Sequence, residues 1–380
     1  MLGLYVHVPF CAAICNYCNF NRGLFQAELK DRYVEAVCRE VRLRARGVAA
    51  DTIFFGGGTP SILEAEEIAA IIRACRDSFD LAADAEVTLE ANPEGVTEER
   101  LAAFREAGVT RLSFGVQSFR DEELRRLTRL HSAGRAITAF REARAAGFDN
   151  VSLDLMMWLP QQTVGEWLES VDALIGLGPD HASLYMLEVY PNSPLREQMA
   201  RAEWSVAPDD DVADMYLQSM ERLDGAGYEQ YEISNVAKPG FRSRHNLKYW
   251  TDGEWLGFGP GAHSTIDGMR TRNVSGTAEY AAAVMPGGPL VAEARRLSPQ
   301  DRMEEALFTG LRLSEGLSAE EIRAHYGIDL WGEFGAELQP FRDLGWLIYD
   351  EGRLRLTRAG MLLAHEVMAV FIRPPSSPSA

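Results

Sequence analysis

The sequence predicts an α/β fold: a partial (β/α)6 barrel followed by a C-terminal domain of helical, winged-helix-like type. Two observations support this prediction. In the first 200 residues, short runs of β-forming residues alternate about six times with segments of helical periodicity, an order typical of parallel βαβ units. From about residue 299, the pattern instead predicts three helices, two short strands and a final helix to about Ile372, an order that resembles a winged helix.

The barrel prediction depends on six strands, at residues 4–8, 52–55, 86–90, 111–116, 151–155 and 182–187. The segments between them repeat apolar residues at helical spacing, as in the face formed by Tyr33, Val37 and Val41. Six such units make only part of a barrel, because the closed barrel of this type has eight.

The chain divides into four predicted regions. We expect the barrel in residues 1–200, a barrel-associated region in residues 201–290 and the winged-helix-like domain in residues 291–372. Two prolines and two glycines in residues 285–289 predict a linker, since they stop any regular element. Residues 373–380, which are mostly proline and serine, are predicted to form a disordered tail.

Composition excludes several classes of function. The 380 residues carry a net charge of −18, whereas a non-specific nucleic-acid binder needs a positive surface to displace counterions from phosphates. Residues 297–380 hold eight arginines and 13 acidic residues, so the winged pattern also does not predict DNA binding, and a lid or partner surface fits it better. We therefore expect no nucleic-acid partner.

The sequence also indicates where the protein works. No apolar run reaches the ~18 residues that a membrane helix needs, and the first residues have no basic segment of the kind that begins a secretory signal. We therefore expect a cytoplasmic protein that is not integral to a membrane.

Three of the five cysteines lie within eight residues, as Cys11-x-x-x-Cys15-x-x-Cys18. Clustered thiols in the cytosol indicate a metal site rather than disulfides. Iron–sulfur clusters are held by thiolates, normally four, so three leave one iron free for the amino and carboxylate groups of S-adenosylmethionine (SAM). The pattern thus predicts a [4Fe–4S] cluster that binds SAM. The alternatives are buried structural thiols or a zinc site completed by His7. Two further cysteines on apolar helical faces are expected to be inert: Cys38 and Cys75.

Glycines and polar residues follow several predicted strands, at the rim where barrel enzymes build their sites. The run Gly56-Gly57-Gly58-Thr59-Pro60 follows the second strand, where its backbone can approach the methionine amino group of SAM. Carboxylates at the rim can accept hydrogen bonds from ribose hydroxyls, and Arg129 can pair with the methionine carboxylate. For each residue alone, a capping or salt-bridge role remains open. The polar residues at strand ends are Glu90, Gln117 and Asp154.

Four motifs together resemble one family: Tyr5-x-His7-x-Pro9-Phe10-Cys11-x-x-x-Cys15-x-Tyr17-Cys18, the Gly-Gly-Gly-Thr-Pro run, Gly115-Val-Gln-Ser-Phe119 and Asp154-Leu-x-x-x-Leu-Pro160. It is the radical SAM family that contains oxygen-independent coproporphyrinogen III oxidase and the heme chaperone HemW. The resemblance implies a six-unit barrel with a C-terminal helical or winged domain. It also implies a set of SAM contacts: Tyr5, Gly57, Gly58, Thr59, Glu90, Gln117, Arg129 and Asp154, with Leu187 and His263 matching less closely.

Three features favour the chaperone over the oxidase. The oxidase has a Cys-x-Cys after the third ligand and a long extension before the tyrosine, whereas this chain has Cys18-Asn19-Phe20 and only four residues before Tyr5. Residues 245–250 match the His-Asn-x-x-Tyr-Trp motif that is associated with heme in the chaperones. We therefore expect little or no coproporphyrinogen oxidase activity.

A heme site at this motif has a physical basis. Imidazole is a common ligand of heme iron, so His245 is the predicted ligand. Tyr249 and Trp250 can pack on a porphyrin face, and Arg242 and Arg244 can pair with propionates. The alternative is a structural turn in which the histidine satisfies neighbouring polar groups. The predicted partners are heme, an unknown heme-accepting protein and a protein that reduces the cluster. Oxidase activity and radical SAM chemistry on another substrate remain as alternative functions.

Overall fold

Six parallel strands form the centre of the computed structural model, which describes residues 1–285 and 287–373. They lie side by side in chain order, and helices follow them in the chain, so the six predicted strands and the partial barrel are confirmed. The strands are Leu2–Val8 (β1), Ala49–Gly57 (β2), Asp80–Ala91 (β3), Arg111–Gln117 (β4), Val151–Met157 (β5) and His181–Met186 (β6).

Helices cover the strands with their apolar faces. Tyr33, Val37 and Val41, the face predicted from periodicity, are fully buried in the main core, and each such side chain contributes about 1.5–3 kcal/mol when it leaves water. Thr97, Ser132 and Thr163 begin three of the helices by accepting a backbone N–H. The α-helices of this region are Ala27–Leu43, Ala65–Ser78, Glu98–Glu106, Asp121–Arg126, Ala133–Ala145, Val164–Leu177, Pro194–Ala202 and Asp209–Gly225.

The residues after the barrel extend the same sheet at both edges. Beside β1, Trp255–Phe258 runs parallel and is followed by antiparallel His263–Ile266, Met269–Asn273 and Val291–Arg296. Beside β6 lie antiparallel Asn235–Ala237 and then Glu229–Glu232. Within the described residues the sheet has 12 strands whose two outermost members do not pair, so it stays open. One edge strand of this sheet, Val291–Arg296, lies beyond residue 290, where we expected the barrel-associated region to end.

Short elements complete this part of the chain. Helix Arg244–Trp250, called the motif helix below, lies near Gly3 and Thr52 at the amino-terminal half of β1 and β2. The motif helix is therefore at the opposite end of the barrel from the carboxyl ends of the strands, where we expected the SAM site. The other short elements are strands Phe10–Cys11 and Gly23–Leu24, helix Thr277–Val284 and 3-10 turns Pro60–Ile62 and Pro93–Gly95.

The C-terminal domain has the predicted winged-helix order. Helices Pro299–Gly310, Ala319–Tyr326 and Leu330–Asp343 precede the antiparallel strands Leu347–Asp350 and Arg353–Leu356. A strand that we did not predict, Leu317–Ser318, pairs with the second of these and completes a three-stranded wing. Two residues are too few to show an alternating pattern in the sequence.

The last part of the chain differs from the single helix that we predicted. It forms Arg358–Leu362, Ala364–Met368 and the 3-10 turn Ala369–Phe371, because Leu363 leaves helical geometry (φ −113°, ψ 25°). Pro286, in the predicted linker, and all but the first residue of the predicted tail lie outside the described residues. Within the described residues, no helix is both long enough and apolar enough to cross a bilayer.

Candidate cofactor site

A cavity of about 400 Å³ opens at the carboxyl ends of the barrel strands. Because these ends meet at one rim, residues far apart in the sequence converge there. The cavity is lined by ten of the twelve residues that sequence analysis assigned to the cofactors: Cys11, Cys15, Cys18, Gly57, Gly58, Thr59, Glu90, Gln117, Arg129 and Asp154. Leu187 also lines it, whereas Tyr5, His245 and His263 do not.

The three cysteines lie on a loop that begins at the short strand Phe10–Cys11 and closes with a turn from the Cys18 N–H to the Cys15 carbonyl (3.2 Å). Cys11 accepts a hydrogen bond from the Thr59 hydroxyl (3.5 Å), and burial raises the pKa of its thiol. Among the described residues no three ligating side chains converge tightly enough for a single metal ion. A [4Fe–4S] cluster makes no such demand, because each thiolate binds a different iron.

His7, the fourth ligand in the zinc alternative, is already hydrogen-bonded through both ring nitrogens. The two ring nitrogens of His7 are hydrogen-bonded to the Tyr5 hydroxyl (3.1 Å) and to the Asn21 carbonyl (2.7 Å). Since zinc in a structural site takes four protein ligands, three thiols with His7 already engaged fit a cluster better than zinc.

The glycine run packs directly against the cysteine loop. A Cβ on Gly58 would lie 2.7 Å from the Phe10 carbonyl and 3.1 Å from Cys11 Sγ, and one on Gly57 would lie 2.7 Å from His7 Cε1. Gly57 also has φ +116°, a conformation that favours glycine. Only glycine therefore lets this turn lie beside the cluster loop and leave backbone groups open to a ligand.

Two carboxyl groups lie deep in the cavity. Burial, and then the charge of Asp154, raise the pKa of Glu90 to about 8, and burial also raises the pKa of Asp154. Glu90 accepts the Gly57 N–H (3.2 Å), and Asp154 accepts the Ser113 hydroxyl (3.1 Å). A cationic ligand with hydroxyl groups would favour the ionised forms of both carboxyls, because it brings a positive charge and donates hydrogen bonds to them.

Arg129 connects the cluster loop to this polar wall. Its Nη1 donates to Cys15 Sγ (3.4 Å), and its Nη2 donates to Asn92 Oδ1 and to the Gly115 carbonyl, both at 2.7 Å. The guanidinium thus places a positive charge beside a thiolate that would bind iron. Its Nε, together with Gln117 Oε1, has no hydrogen-bond partner among the described residues. Buried polar atoms of this kind are what an incoming polar ligand would satisfy.

The cavity therefore fits a cluster with SAM. When bound, the reduced cluster supplies an electron that cleaves the sulfonium of SAM. This chain's own residues would hold the cluster through three thiolates and present carboxyl, amide and guanidinium groups to the SAM ribose and amino acid.

His245, the predicted heme ligand, lies away from the cavity and has no free nitrogen. The ring is buried; Nδ1 is hydrogen-bonded to Thr52 (2.7 Å) and Nε2 to the Tyr249 hydroxyl (2.9 Å). Burial, and then Lys248, lower the pKa of His245 to about 3. In this conformation the ring cannot bind iron without breaking one of these bonds, so the geometry matches the structural-turn alternative.

The arginines that we assigned to heme propionates are also engaged. Arg242 pairs with Glu315 (2.6 Å), and Arg244 pairs with Asp84 (3.4 Å). The motif helix is therefore a packed element of the fold and presents no open anion site in this conformation.

Sequence reasoning missed several residues of the cavity, and two of them hold predicted site residues in place. Asn92 joins Arg129 to the Thr59 hydroxyl (Nδ2 to Oγ1, 3.1 Å), and Ser113 holds Asp154. Asn92 follows Glu90 by two residues and so carried a positional clue, because residues two apart in a strand share a face. Ser113 lies within a strand pattern and gave no clue of its own.

Comparisons with known proteins show the family. Residues 5–174 match the Radical SAM superfamily, and residues 297–363 match the HemN C-terminal domain. The heme chaperone HemW of Bacillus subtilis is 37% identical over 379 residues, which cover 98% of this chain and 99% of the relative. This chain belongs to the HemW family of radical SAM proteins. HemW of Mycobacterium tuberculosis is 40% identical, covering 97% of this chain and 94% of the relative.

A solved structure shows the same fold. Coproporphyrinogen III oxidase (HemN) from Escherichia coli, a radical SAM enzyme, superposes with a TM-score of 0.85 at 25% identity, covering 97% of this chain and 89% of that chain. This chain and the oxidase thus share their overall fold, and the family assignment confirms the resemblance that the motifs indicated.

Proposed function

We propose that this chain is a cytoplasmic heme chaperone: it holds a [4Fe–4S] cluster and SAM in the rim cavity, binds heme at the mouth of that cavity and passes the heme to an acceptor protein. The observation that carries this proposal is near-full-length similarity to proteins named heme chaperone, together with an apolar mouth above a cavity lined by ten of the assigned cofactor residues.

The mouth of the cavity is unusually apolar for an exposed surface. Phe20 is 62% exposed, and it occupies the position where the oxidase pattern has its further cysteine. Four more large apolar side chains on the mouth are 36–45% exposed: Ile14, Tyr185, Met186 and Tyr190. Exposed apolar patches of this kind mark ligand or partner sites, and a flat macrocycle covers such a patch with one face.

A charged group is also available at the mouth. Arg22 lines it, donates to the Cys18 carbonyl through Nη2, and has its Nε without a hydrogen-bond partner among the described residues. An arginine beside an apolar patch is suited to a heme propionate, because its planar donors match a carboxylate. We therefore place heme at the mouth and not on His245.

Delivery requires that the heme remain accessible to another protein. At the mouth, one face of the macrocycle would stay exposed, which suits transfer to an acceptor. The same location brings a reductant protein close to the cluster loop, since Cys15 and Cys18 are only partly buried. The acidic C-terminal domain, with a net charge of −5, suits a protein partner better than a nucleic acid.

Anaerobic heme titration tests the location. Phe20→Ala and Met186→Ala should each weaken heme binding about tenfold, because each removes ~50–100 Å² of apolar contact at about 25 cal/mol per Å². Leu344→Ala is a matched control, since Leu344 is 61% exposed but lies in the C-terminal domain. Unchanged heme affinity in both mouth variants would rule out this location, and a wild-type protein that binds no heme would contradict the chaperone function.

The second candidate function is coproporphyrinogen III oxidation, which the close superposition on HemN favours. That reaction needs the macrocycle held within van der Waals distance of the SAM 5′-carbon, and a misplacement of about 1 Å costs ~100-fold in rate. An anaerobic assay with reductant, SAM and coproporphyrinogen III decides the matter. We expect little or no protoporphyrinogen IX, and sustained stoichiometric production would establish the oxidase instead.

A further inference from the structure

The motif helix is anchored at its amino terminus by a buried carboxylate. Glu86, on β3, accepts the backbone N–H groups of Arg244 and His245, each at 3.1 Å. Ser243 caps the same end by accepting the Asn246 N–H. A negative charge at a helix amino terminus stabilises the helix, so these bonds fix the position of His245 within the barrel.

The His245 ring stacks against two aromatic rings that lead toward the cavity. Its centroid is 5.1 Å from that of Phe54, at an interplanar angle of 28°. It is 6.3 Å from that of Tyr5, at 29°, and the Phe54 and Tyr5 rings are 6.1 Å apart at 23°. Three rings of similar orientation therefore lie in mutual contact, in the range where aromatic pairs attract.

The upper end of this stack supports the glycine run. A Cβ on Gly56 would lie 3.0 Å from Tyr5 Cε2 and 3.0 Å from Phe54 Cε1, so both rings pack closely on the backbone that leads into Gly57 and Gly58. The rings thus support the backbone that leads to two glycines of the cavity lining.

We propose that His245 is a positioning residue for the SAM cavity: its ring backs Phe54 and Tyr5, which in turn hold the Gly56–Gly58 backbone beside the cluster loop. The inference rests on the proposed SAM site and assigns the histidine of the His-Asn-x-x-Tyr-Trp motif to that site instead of to heme iron. Thr52 and Tyr249, bonded to its two nitrogens, fix the orientation of the ring.

An imidazole suits this position for two separate reasons. Its flat face supplies the stacking contact, and its two nitrogens are hydrogen-bonded to the Thr52 and Tyr249 hydroxyls. Stacking should control SAM binding, whereas the hydrogen bonds should control folding stability. Substitutions can separate these two contributions.

The test measures SAM affinity by calorimetry on cluster-loaded protein, with heme affinity and unfolding midpoint measured in parallel. His245→Ala removes the ring and should weaken SAM binding about fivefold, the size of one aromatic contact. His245→Phe keeps the ring and should restore SAM affinity while still lowering the unfolding midpoint. Phe54→Leu removes a second ring of the stack. If the His245→Ala variant does not fold, Phe54→Leu should show the same loss of SAM affinity.

Trp167→Phe is the control for stability alone. Trp167 is fully buried, and its Nε1 donates to the Ser219 hydroxyl (2.7 Å). It lies on helix Val164–Leu177, which packs against helix Asp209–Gly225 outside the cavity lining, so the variant should lower stability without changing SAM affinity.

The outcomes separate the inference from the proposed function. Wild-type SAM affinity in both His245→Ala and Phe54→Leu would overturn the inference alone. Loss of heme binding with unchanged SAM binding in His245→Ala would also overturn it and return the histidine to the heme site. A wild-type protein that binds no SAM would overturn the proposed SAM site and this inference with it.

Discussion

Replacing Glu90 by glutamine should stabilise the folded protein relative to wild type, by an amount that grows as the pH rises. The carboxyl lies at the end of β3, where burial and the nearby charge of Asp154 raise its pKa from 4.5 to about 8. In the unfolded chain the same group ionises near 4.5. Between these values the unfolded state releases a proton that the folded state keeps, so the wild-type protein loses stability as pH rises and the loss ends near pH 8.

The magnitude follows from the two pKa values. Wild type should lose at most about 1.36 kcal/mol of unfolding free energy per pH unit relative to the variant. From pH 6 to pH 8 the advantage of Glu90→Gln should therefore grow by up to ~2.7 kcal/mol and then level off. Glutamine keeps the shape of the side chain and can still accept the Gly57 N–H, so no other contact is lost.

Urea unfolding of the cluster-free, SAM-free protein under reducing conditions measures this difference at pH 6, 7, 8 and 9, away from the pI of about 4.9. Glu94→Gln is the matched control with the opposite sign. Burial alone would raise the pKa of Glu94, but the hydrogen bond with His131 and the charge of Arg129 lower it. The ionised carboxylate therefore stabilises the folded state, and Glu94→Gln should lose stability. Stability differences for Glu90→Gln that stay constant from pH 6 to pH 9 would refute the assignment of a raised pKa.

Three further predictions concern the cofactor site. Cys15→Ala should abolish the cluster while Cys38→Ala keeps it, because only the first thiol lines the cavity; full iron and sulfide content in Cys15→Ala would contradict the ligand set. Gly57→Val should block SAM binding in calorimetry, since even a Cβ would lie 2.7 Å from His7; normal affinity would show that the turn can move. Asn92→Ala should weaken SAM binding by about 1–2 kcal/mol through loss of its bond to Arg129, and an unchanged affinity would mean that Arg129 holds its position alone.

Local sequence pattern was sufficient to predict the barrel, because each βα unit is short and lies beside the unit that precedes it in the chain. The six strands were predicted from β-forming runs, and the buried faces of the helices from their periodicity. Failures occurred where local pattern is weak. Strand Leu317–Ser318 is too short to show an alternation of apolar and polar residues. The helix break at Leu363 has no proline or glycine at that position from which it could be predicted.

The cofactor residues were predictable for the same reason. Ends of parallel strands converge on one rim, so Glu90, Gln117 and Asp154 could be grouped from their positions in the strand pattern alone. The individual side-chain contacts were not predictable: Tyr5 does not line the cavity, and Asn92 connects Arg129 to Thr59. Such contacts depend on side-chain directions, which sequence spacing does not contain.

The sequence by itself determined the grouping of three cysteines as candidate cluster ligands, the six-strand core and the family, because these depend on residue type, spacing and local periodicity. Only the tertiary structure decided the position of His245. Its motif is 193 residues from Thr52, and whether the imidazole faces solvent or packs under Tyr5 depends on where the motif helix docks in the barrel. Docking is set by long-range burial and by the Glu86 carboxylate, and neither can be inferred from the motif's own residues.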